Sequence, residues 1–179
     1  MKIIKINRNV HLKEDLKSKS KSFYSIKPFT KVDSVIINFI KKFSKDNNFC
    51  DVRVCMHKNL NSIHHDMIML HQKKNFYPPH FSNFTSDTYI VLEGKLAIFI
   101  FNKKGRVIKN CMINNGELFR APKSKFHCIF PISNTVLFYE MRSGPYKKND
   151  IFYPSWAPNR ESDKIDIATF KSALVKILI

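Results

Sequence analysis

The sequence predicts a mainly β protein, a jelly roll or small barrel, with one helix before it and one after it. Four observations carry this. From residue 51 onward, short runs rich in Ile, Val, Phe and Tyr cover 51–56, 66–71, 88–93, 95–102, 106–113, 117–120, 126–131 and 136–142. Turn chemistry separates them: Pro78-Pro79, Glu93-Gly94, Asn102 to Gly105 and Asn114-Asn115-Gly116. At either end of the chain, apolar residues recur at three- and four-residue spacing instead. Finally, Leu96, Ile98 and Ile100 alternate with Ala97, Phe99 and Phe101, so that strand is apolar on both faces and must be covered twice.

Taken in order, residues 1–50 form an N-terminal arm and helix, 51–146 the barrel, and 147–179 a C-terminal extension. The arm is strand-like or irregular. Its Ser/Lys-rich stretch from Lys13 to Lys31, with Lys17, Lys19, Lys21 and Lys27, lacks periodicity and is expected to be a solvated, mobile segment. Val32, Val35, Ile36, Phe39, Ile40 and Phe43 then make one helical stripe, with Asp33 or Thr30 as its cap. Its β-branched residues lower intrinsic helicity, so this helix needs something to pack on. The extension is irregular through Trp156-Ala157-Pro158. It ends in an amphipathic helix carrying Ile167, Phe170, Leu174, Ile177 and Leu178, with Asp166 as a possible cap. A second sheet, a helix or a partner subunit could supply the extra cover for strand 95–102, and a homodimer formed through β elements is expected on that ground.

With 179 residues the chain can bury a proper core, and 44% hydrophobic content argues against disorder. No apolar run approaches the ~20 residues that span a bilayer, and no secretory signal is visible at the start. The net charge of +17 invites a nucleic-acid reading. The charge is spread along a Lys-, Asn- and Ile-rich chain, however, which composition bias explains, so no nucleic-acid partner is expected. Cys50, Cys55, Cys111 and Cys128 make no metal spacing. They read as reduced, mostly buried thiols of a cytoplasmic protein.

The chemistry concentrates on His80, Asp87 and His127. A histidine, a carboxylate seven residues on, a strand closing on Gly94, and a histidine on a later strand can converge inside a barrel. Two histidines and one carboxylate on one face make a non-haem metal site. Each histidine also has a plainer reading, His80 as a loop residue after Pro-Pro and His127 as a core residue. His64-His65-Asp66 looks like a cluster, but neighbours on a strand face opposite ways, so at most one points inward. His71 is expected where a strand gives way to a loop, near enough to approach the site. Tyr89 shares a strand face with Asp87.

Residues 53–158 resemble the WbuC-type cupin proteins, found among O-antigen and other surface-polysaccharide biosynthesis genes. The likeness runs through Arg53 to His57, Tyr77-Pro78-Pro79-His80, Ile90 to Gly94 and Pro122 to His127. It closes with Phe138-Tyr139-Glu140, Gly144-Pro145-Tyr146 and Trp156-Ala157-Pro158. The resemblance implies a cupin double-stranded β-helix (the jelly-roll barrel) with His80, Asp87 and His127 as metal ligands. Cupins commonly carry a second histidine in the first motif, where Ser82 stands here, and a Glu where Asp87 stands. The Gly of the second motif is Ser124. Serine is a poor ligand while protonated, although Ser82 could hold a bound water.

The resemblance further implies Arg53 and His57 as pocket residues, with Arg53 able to hold a phosphate or carboxylate in bidentate fashion. Tyr89 joins them, and Glu140 becomes a candidate acid/base. The expected cofactor is one divalent ion (Fe, Mn, Ni or Zn), and the expected partner a small polar ligand, a sugar or nucleotide-sugar. If the protein is an enzyme, isomerase, epimerase or dioxygenase chemistry fits. The alternative is a metal-poor, non-catalytic sugar-binding or accessory cupin.

Overall fold

The computed structural model describes residues 3–178 apart from 9, 17, 19 and 28–30. The alternative helix cap Thr30, and Lys17 and Lys19 of the basic stretch, lie outside the described residues. Three strands open the chain: β1 (Ile3–Lys5), β2 (His11–Asp15) and β3 (Lys21–Ser25). Helix α1 (Ser34–Asp46) crosses to β4 (Val52–Cys55), which pairs with β3 in parallel. A parallel pair needs such a crossover. Then follow β5 (His64–Gln72), β6 (Phe81–Ser82), β7 (Asp87–Glu93), β8 (Lys95–Phe101), β9 (Val107–Asn114), β10 (Leu118–Ala121), β11 (Phe126–Pro131) and β12 (Thr135–Ser143). The extension adds β13 (Ile151–Phe152) and helix α2 (Lys164–Lys176).

One sheet runs β1-β2-β3-β4-β5-β12-β7-β10, and a second runs β11-β8-β9. A backbone bridge between His80 and His127 docks the start of β6 beside β11. Strands β5, β12, β7 and β10 therefore face β6, β11, β8 and β9, and chain neighbours from β5 to β8 fall alternately into opposite layers. That order is the jelly roll.

Period-two alternation sorts the side chains into three cores. Between the sheets lie Met67, Met69, Tyr89, Val91, Leu96, Ile98, Ile129 and Phe138. Behind the large sheet, Leu12, Phe23, Val52, Val54, Ile68 and Leu70 pack against Ile36 and Ile40 of α1. Behind the small sheet, Ala97, Phe99, Phe101, Cys128 and Phe130 are covered by Trp156, Phe170 and Leu174. The second cover demanded by strand β8 thus comes from the chain's own extension and α2. Cys128 belongs to that outer core, on the opposite side of β11 from His127.

Two expectations are corrected. The stretch from Lys13 to Lys31 is not simply a solvated segment, because its Phe23 is fully buried under α1, beside Leu12 just before it, and the stretch supplies β3 and most of β2 to the sheet. The aromatic edge contacts of Phe23 with Phe39 and Phe43 fasten it there. The cap of α2 is Asp163, whose carboxylate accepts from the Ile165 amide at 2.6 Å, with Asp166 inside the first turn. Asp33 caps α1 by accepting from the amides of Val35 and Ile36.

The extension is held by close contacts. Trp156 lies against Phe101 and Phe126, with ring centroids 5.1 and 5.6 Å away. Its ring also rests on Gly105, where an added Cβ would meet it at 2.7 Å. Gly105 has φ +85°, a region that side chains disfavour. Gly144 is equally confined, since a Cβ there would strike the Ser62 carbonyl and the His65 ring. Gly105→Ala is expected to lower unfolding free energy by about 2–4 kcal/mol, the sum of left-handed strain and overpacking. Gly116→Ala, with φ +82° and open space around it, should lose only about 1–2 kcal/mol. Urea unfolding of the two variants checks the difference.

Candidate metal centre

The residues of the site come from four strands that share the inner layer. On β4, Val52 and Val54 face α1, so Arg53 faces the barrel. On β7 the inward positions are Asp87, Tyr89 and Val91. On β11 they are His127 and Ile129, and on β12 Phe138, Glu140 and Arg142. His80 arrives from the short segment before β6, held by reciprocal backbone bonds to His127 of 3.0 and 2.9 Å.

His80, Asp87 and His127 converge, with one donor atom from each all within 4.8 Å of one another. Nε2 of His127 lies 3.3 Å from Asp87 Oδ2, and Nε2 of His80 lies 3.9 Å from the same oxygen. Both rings are oriented alike. Nδ1 of His80 donates to the Pro78 carbonyl at 3.2 Å, and Nδ1 of His127 donates to the Lys125 carbonyl at 3.2 Å. A carbonyl can only accept, so Nδ1 carries a proton and, in the neutral ring, Nε2 presents a lone pair. Two lone-pair nitrogens then point at a carboxylate. Such a triad is satisfied by a cation between its members, either a proton or a metal ion, and the outward Nδ1–H bonds are those that metal-binding histidines use.

Asp87 is buried, and burial alone would raise its pKa. The neighbouring His127, the Arg142 guanidinium and His80 outweigh that and hold it below its ordinary value. Arg142 Nε is 3.4 Å from Oδ1, yet Oδ1 has no hydrogen bond of acceptable geometry. The ion pair supplies charge without direction, and one buried carboxylate oxygen is left open. Burial, then the neighbouring His127, lower the His80 pKa to about 4, so its ring is neutral at physiological pH. Access is one-sided. The His80 side chain keeps 26% of its surface exposed, against 4% for Asp87 and His127.

That opening meets a cavity of about 540 Å³ lined by Arg53, Met69, His71, Tyr77, His80, Tyr89 and Glu140. It continues into a second of about 480 Å³ lined by His57, His65 and Arg142, with Arg53, His80 and Glu140 shared. The Tyr89 hydroxyl lies 3.3 Å from His127 Nε2. Burial, reinforced by the charge of Asp87, pushes the Glu140 carboxyl up to about 7. Arg53 donates from Nε to Ser22 and from Nη2 to Ser18. His57 stacks on His65 at 4.2 Å. His64 is exposed and His65 buried, as strand alternation requires.

The Ser82 hydroxyl serves its own turn. Its oxygen accepts from the amides of Phe84 and Thr85 at 3.2 and 3.1 Å. A hydroxyl has two lone pairs, and both are used, which makes Ser82 the cap of the turn before β7. Ser124, in the place of a motif glycine, keeps the left-handed backbone a glycine would adopt (φ 59°) and donates its amide to the Ser82 carbonyl at 2.7 Å. His71 is the penultimate residue of β5, stacks on Tyr77 at 4.1 Å and lines the cavity that opens on His80. Sequence reasoning missed Arg142, although it shares the face of Glu140 two residues on. It also missed Tyr153 and Arg160, which line both cavities from an irregular segment with no periodic signal.

Residues 52–113 match the family model described as "Domain of unknown function (DUF6016)". No curated protein matches the chain. Among solved structures the chain is similar to oxalate decarboxylase from Bacillus subtilis at 16% identity, covering 58% of this chain and 27% of that one, with a TM-score of 0.47. It is similar to KdgF from Halomonas sp. at 14% identity, 55% and 82% coverage, and TM-score 0.44. Protein SO0799 from Shewanella oneidensis follows at 13% identity, 52% and 63% coverage, and TM-score 0.45. The chain thus spans little more than a quarter of the decarboxylase. Its own strand order makes a jelly-roll barrel, and His80, Asp87 and His127 face the interior of that barrel.

His71 gives the fold a pH dependence. Burial lowers its pKa to about 4, whereas the unfolded ring titrates near 6.5. The unfolded chain therefore takes up this proton first as pH falls. His71 costs nothing above pH 6.5, and stability falls between 6.5 and 4 by up to about 1.4 kcal/mol per pH unit. Urea unfolding across this window should show a shallower slope for His71→Gln than for the parent.

Proposed function

We propose that the protein is a metal-binding cupin that holds one divalent ion through His80, Asp87 and His127 and takes a small polar ligand in the adjoining cavity. The observation that carries this is the shared tautomer: both Nδ1–H groups are tied to carbonyls, leaving two Nε2 lone pairs aimed at one buried carboxylate. Nitrogen and oxygen donors in this number suit Fe, Mn, Ni or Zn. When bound, the ion would polarise a carbonyl or activate water.

The chain's own residues then divide the work. Glu140, with its carboxyl near neutrality in pKa, is placed to give or take a proton from a molecule in the cavity. Arg53 presents a guanidinium to an anionic group, while Tyr89 and His57 line the walls. The likeness to WbuC-type cupins supports a sugar or nucleotide-sugar ligand and a place in O-antigen or surface-polysaccharide metabolism. A homodimer through β elements belongs to the same reading. It is supported by Ile108 and Met112 exposed on β9 and Leu118 exposed on β10. A cytoplasmic location fits the four free cysteines. No described helix is long and apolar enough to cross a membrane.

A second reading, a metal-poor sugar-binding cupin, is favoured by one contact. Arg142 already balances the Asp87 charge, and the Tyr89 hydroxyl can donate to His127 Nε2, so the triad has partners of its own. Metal analysis of protein purified without a histidine tag separates the two. The first reading expects about one equivalent, reduced at least tenfold in His80→Ala, Asp87→Ala and His127→Ala while the circular dichroism spectrum is unchanged. Full occupancy in all three variants ends the assignment. Parent protein that is isolated without metal and takes up none when Fe, Mn, Ni or Zn is supplied, yet binds ligand, establishes the second reading.

A further inference from the structure

Arg160 is the one charged residue of the C-terminal segment that reaches both halves of the cavity. Its position is built rather than loose. Upstream, Phe152 stacks on Phe81 at 4.9 Å while Ile151 pairs with Ser82, and Trp156 is seated on Phe101, Phe126 and Gly105. Downstream, the capped α2 packs behind the small sheet. The chain is therefore fixed on both sides of residue 160, and the guanidinium is delivered to the rim of the cavity.

Across the same cavity, Arg53 projects from β4. Two of its five N–H donors are spent on Ser18 and Ser22, which fix the plane of the group and leave three donors free. Among the described residues, neither Arg53 nor Arg160 has a carboxylate within 4 Å. Of the other charges that line the cavity, Glu140 shares both halves with the two arginines and feels the Arg53 charge, which opposes the rise that burial and Asp87 give its carboxyl, while three others are engaged with neighbours. Asp51 accepts from the Tyr77 hydroxyl at 2.9 Å and from the Gln72 amide at 2.9 Å. Lys21 meets Glu14 at 3.7 Å, and Lys74 donates to the Asn48 carbonyl at 2.8 Å. Two unpaired guanidiniums at a recess that leads to His80 are an arrangement for a planar or tetrahedral oxyanion.

We propose that Arg53 and Arg160 form an anion subsite at the cavity mouth, which holds the phosphoryl or carboxylate group of a small molecule whose other end reaches His80. This rests on the reading of the cavity as a ligand pocket and deepens it by naming the ligand class. It does not require the metal. Arg160 adds a specificity determinant that the barrel strands do not supply, since it comes from the extension.

The test is calorimetric titration of chelator-treated protein, at low ionic strength, with inorganic phosphate and separately with acetate. One saturable site for at least one anion is expected. Tighter phosphate binding marks a phosphoryl ligand, and tighter acetate binding a carboxylate. Arg160→Met, at an exposed position that leaves the fold intact, should weaken the preferred anion at least tenfold, and Arg53→Met should do the same. Arg160→Lys should retain part of the binding. Arg106→Met, in the turn after β8, controls for net charge. Parent-like binding by Arg160→Met, an equal loss in Arg106→Met, or no saturable site overturns the proposal. Because the protein is stripped of metal throughout, failure here leaves the His80, Asp87 and His127 assignment to its own measurement.

Discussion

The backbone bridge between His80 and His127 is the constraint on which the rest depends. Its two reciprocal hydrogen bonds join the segment before β6 to β11 and so complete the small sheet of the barrel. The same pairing places two imidazoles side by side, with ring centroids 4.8 Å apart. Each ring is then turned by a bond to the carbonyl two residues earlier, Pro78 for one and Lys125 for the other. Closure of the fold and assembly of the imidazole pair are one event. A chain that failed to make this bridge would lose an edge of the barrel and both nitrogens together.

What allows so polar a cluster to sit inside is the quality of cover around it. The large sheet is backed by α1 over β2 to β5 and the small sheet by Trp156 and α2 over β8 and β11, so those strands are covered on two faces. Burying Phe23, Phe99 and Phe101 is worth about 1.5–3 kcal/mol each. That is the scale needed to offset an enclosed carboxylate, a guanidinium and several imidazoles, whose desolvation costs several kcal/mol. The pairing of Asp87 with Arg142 and the amide caps on Ser82 reduce the cost at its source.

Much of this was legible in the sequence, for a physical reason. Strand alternation is local, so the opposite orientations of His127 and Cys128, or of His64 and His65, follow from position alone. The double apolar face of Leu96 to Phe101 announced a second cover before its source was known. Helix stripes announced α1 and α2, though Asp163 rather than Asp166 makes the cap, because one carboxylate in the right backbone conformation is indistinguishable in sequence from another nearby. The less legible parts are long-range. Nothing around Leu12 or Phe23 says that they will slide beneath a helix, and the serine- and lysine-rich setting suggests the reverse. Ser82 looked like a weakened ligand because its turn-capping bonds depend on the backbone of Phe84 and Thr85. Tyr153 and Arg160 reach the cavity through a segment whose course is decided by Trp156 docking, which no periodicity encodes.

The back-to-back placement of His127 and Cys128 has a consequence for how this barrel can change. Inserting or deleting one residue between Lys125 and His127 would exchange the two, swinging a thiol toward the cavity and an imidazole into the greasy layer beneath α2. Softer sulfur would favour a different set of ions, and the stranded ring would have no partner. The loops at either end of β11 can absorb changes in length, whereas a one-residue change within the strand exchanges its faces, so the strand acts as a parity lock on the chemistry of the site.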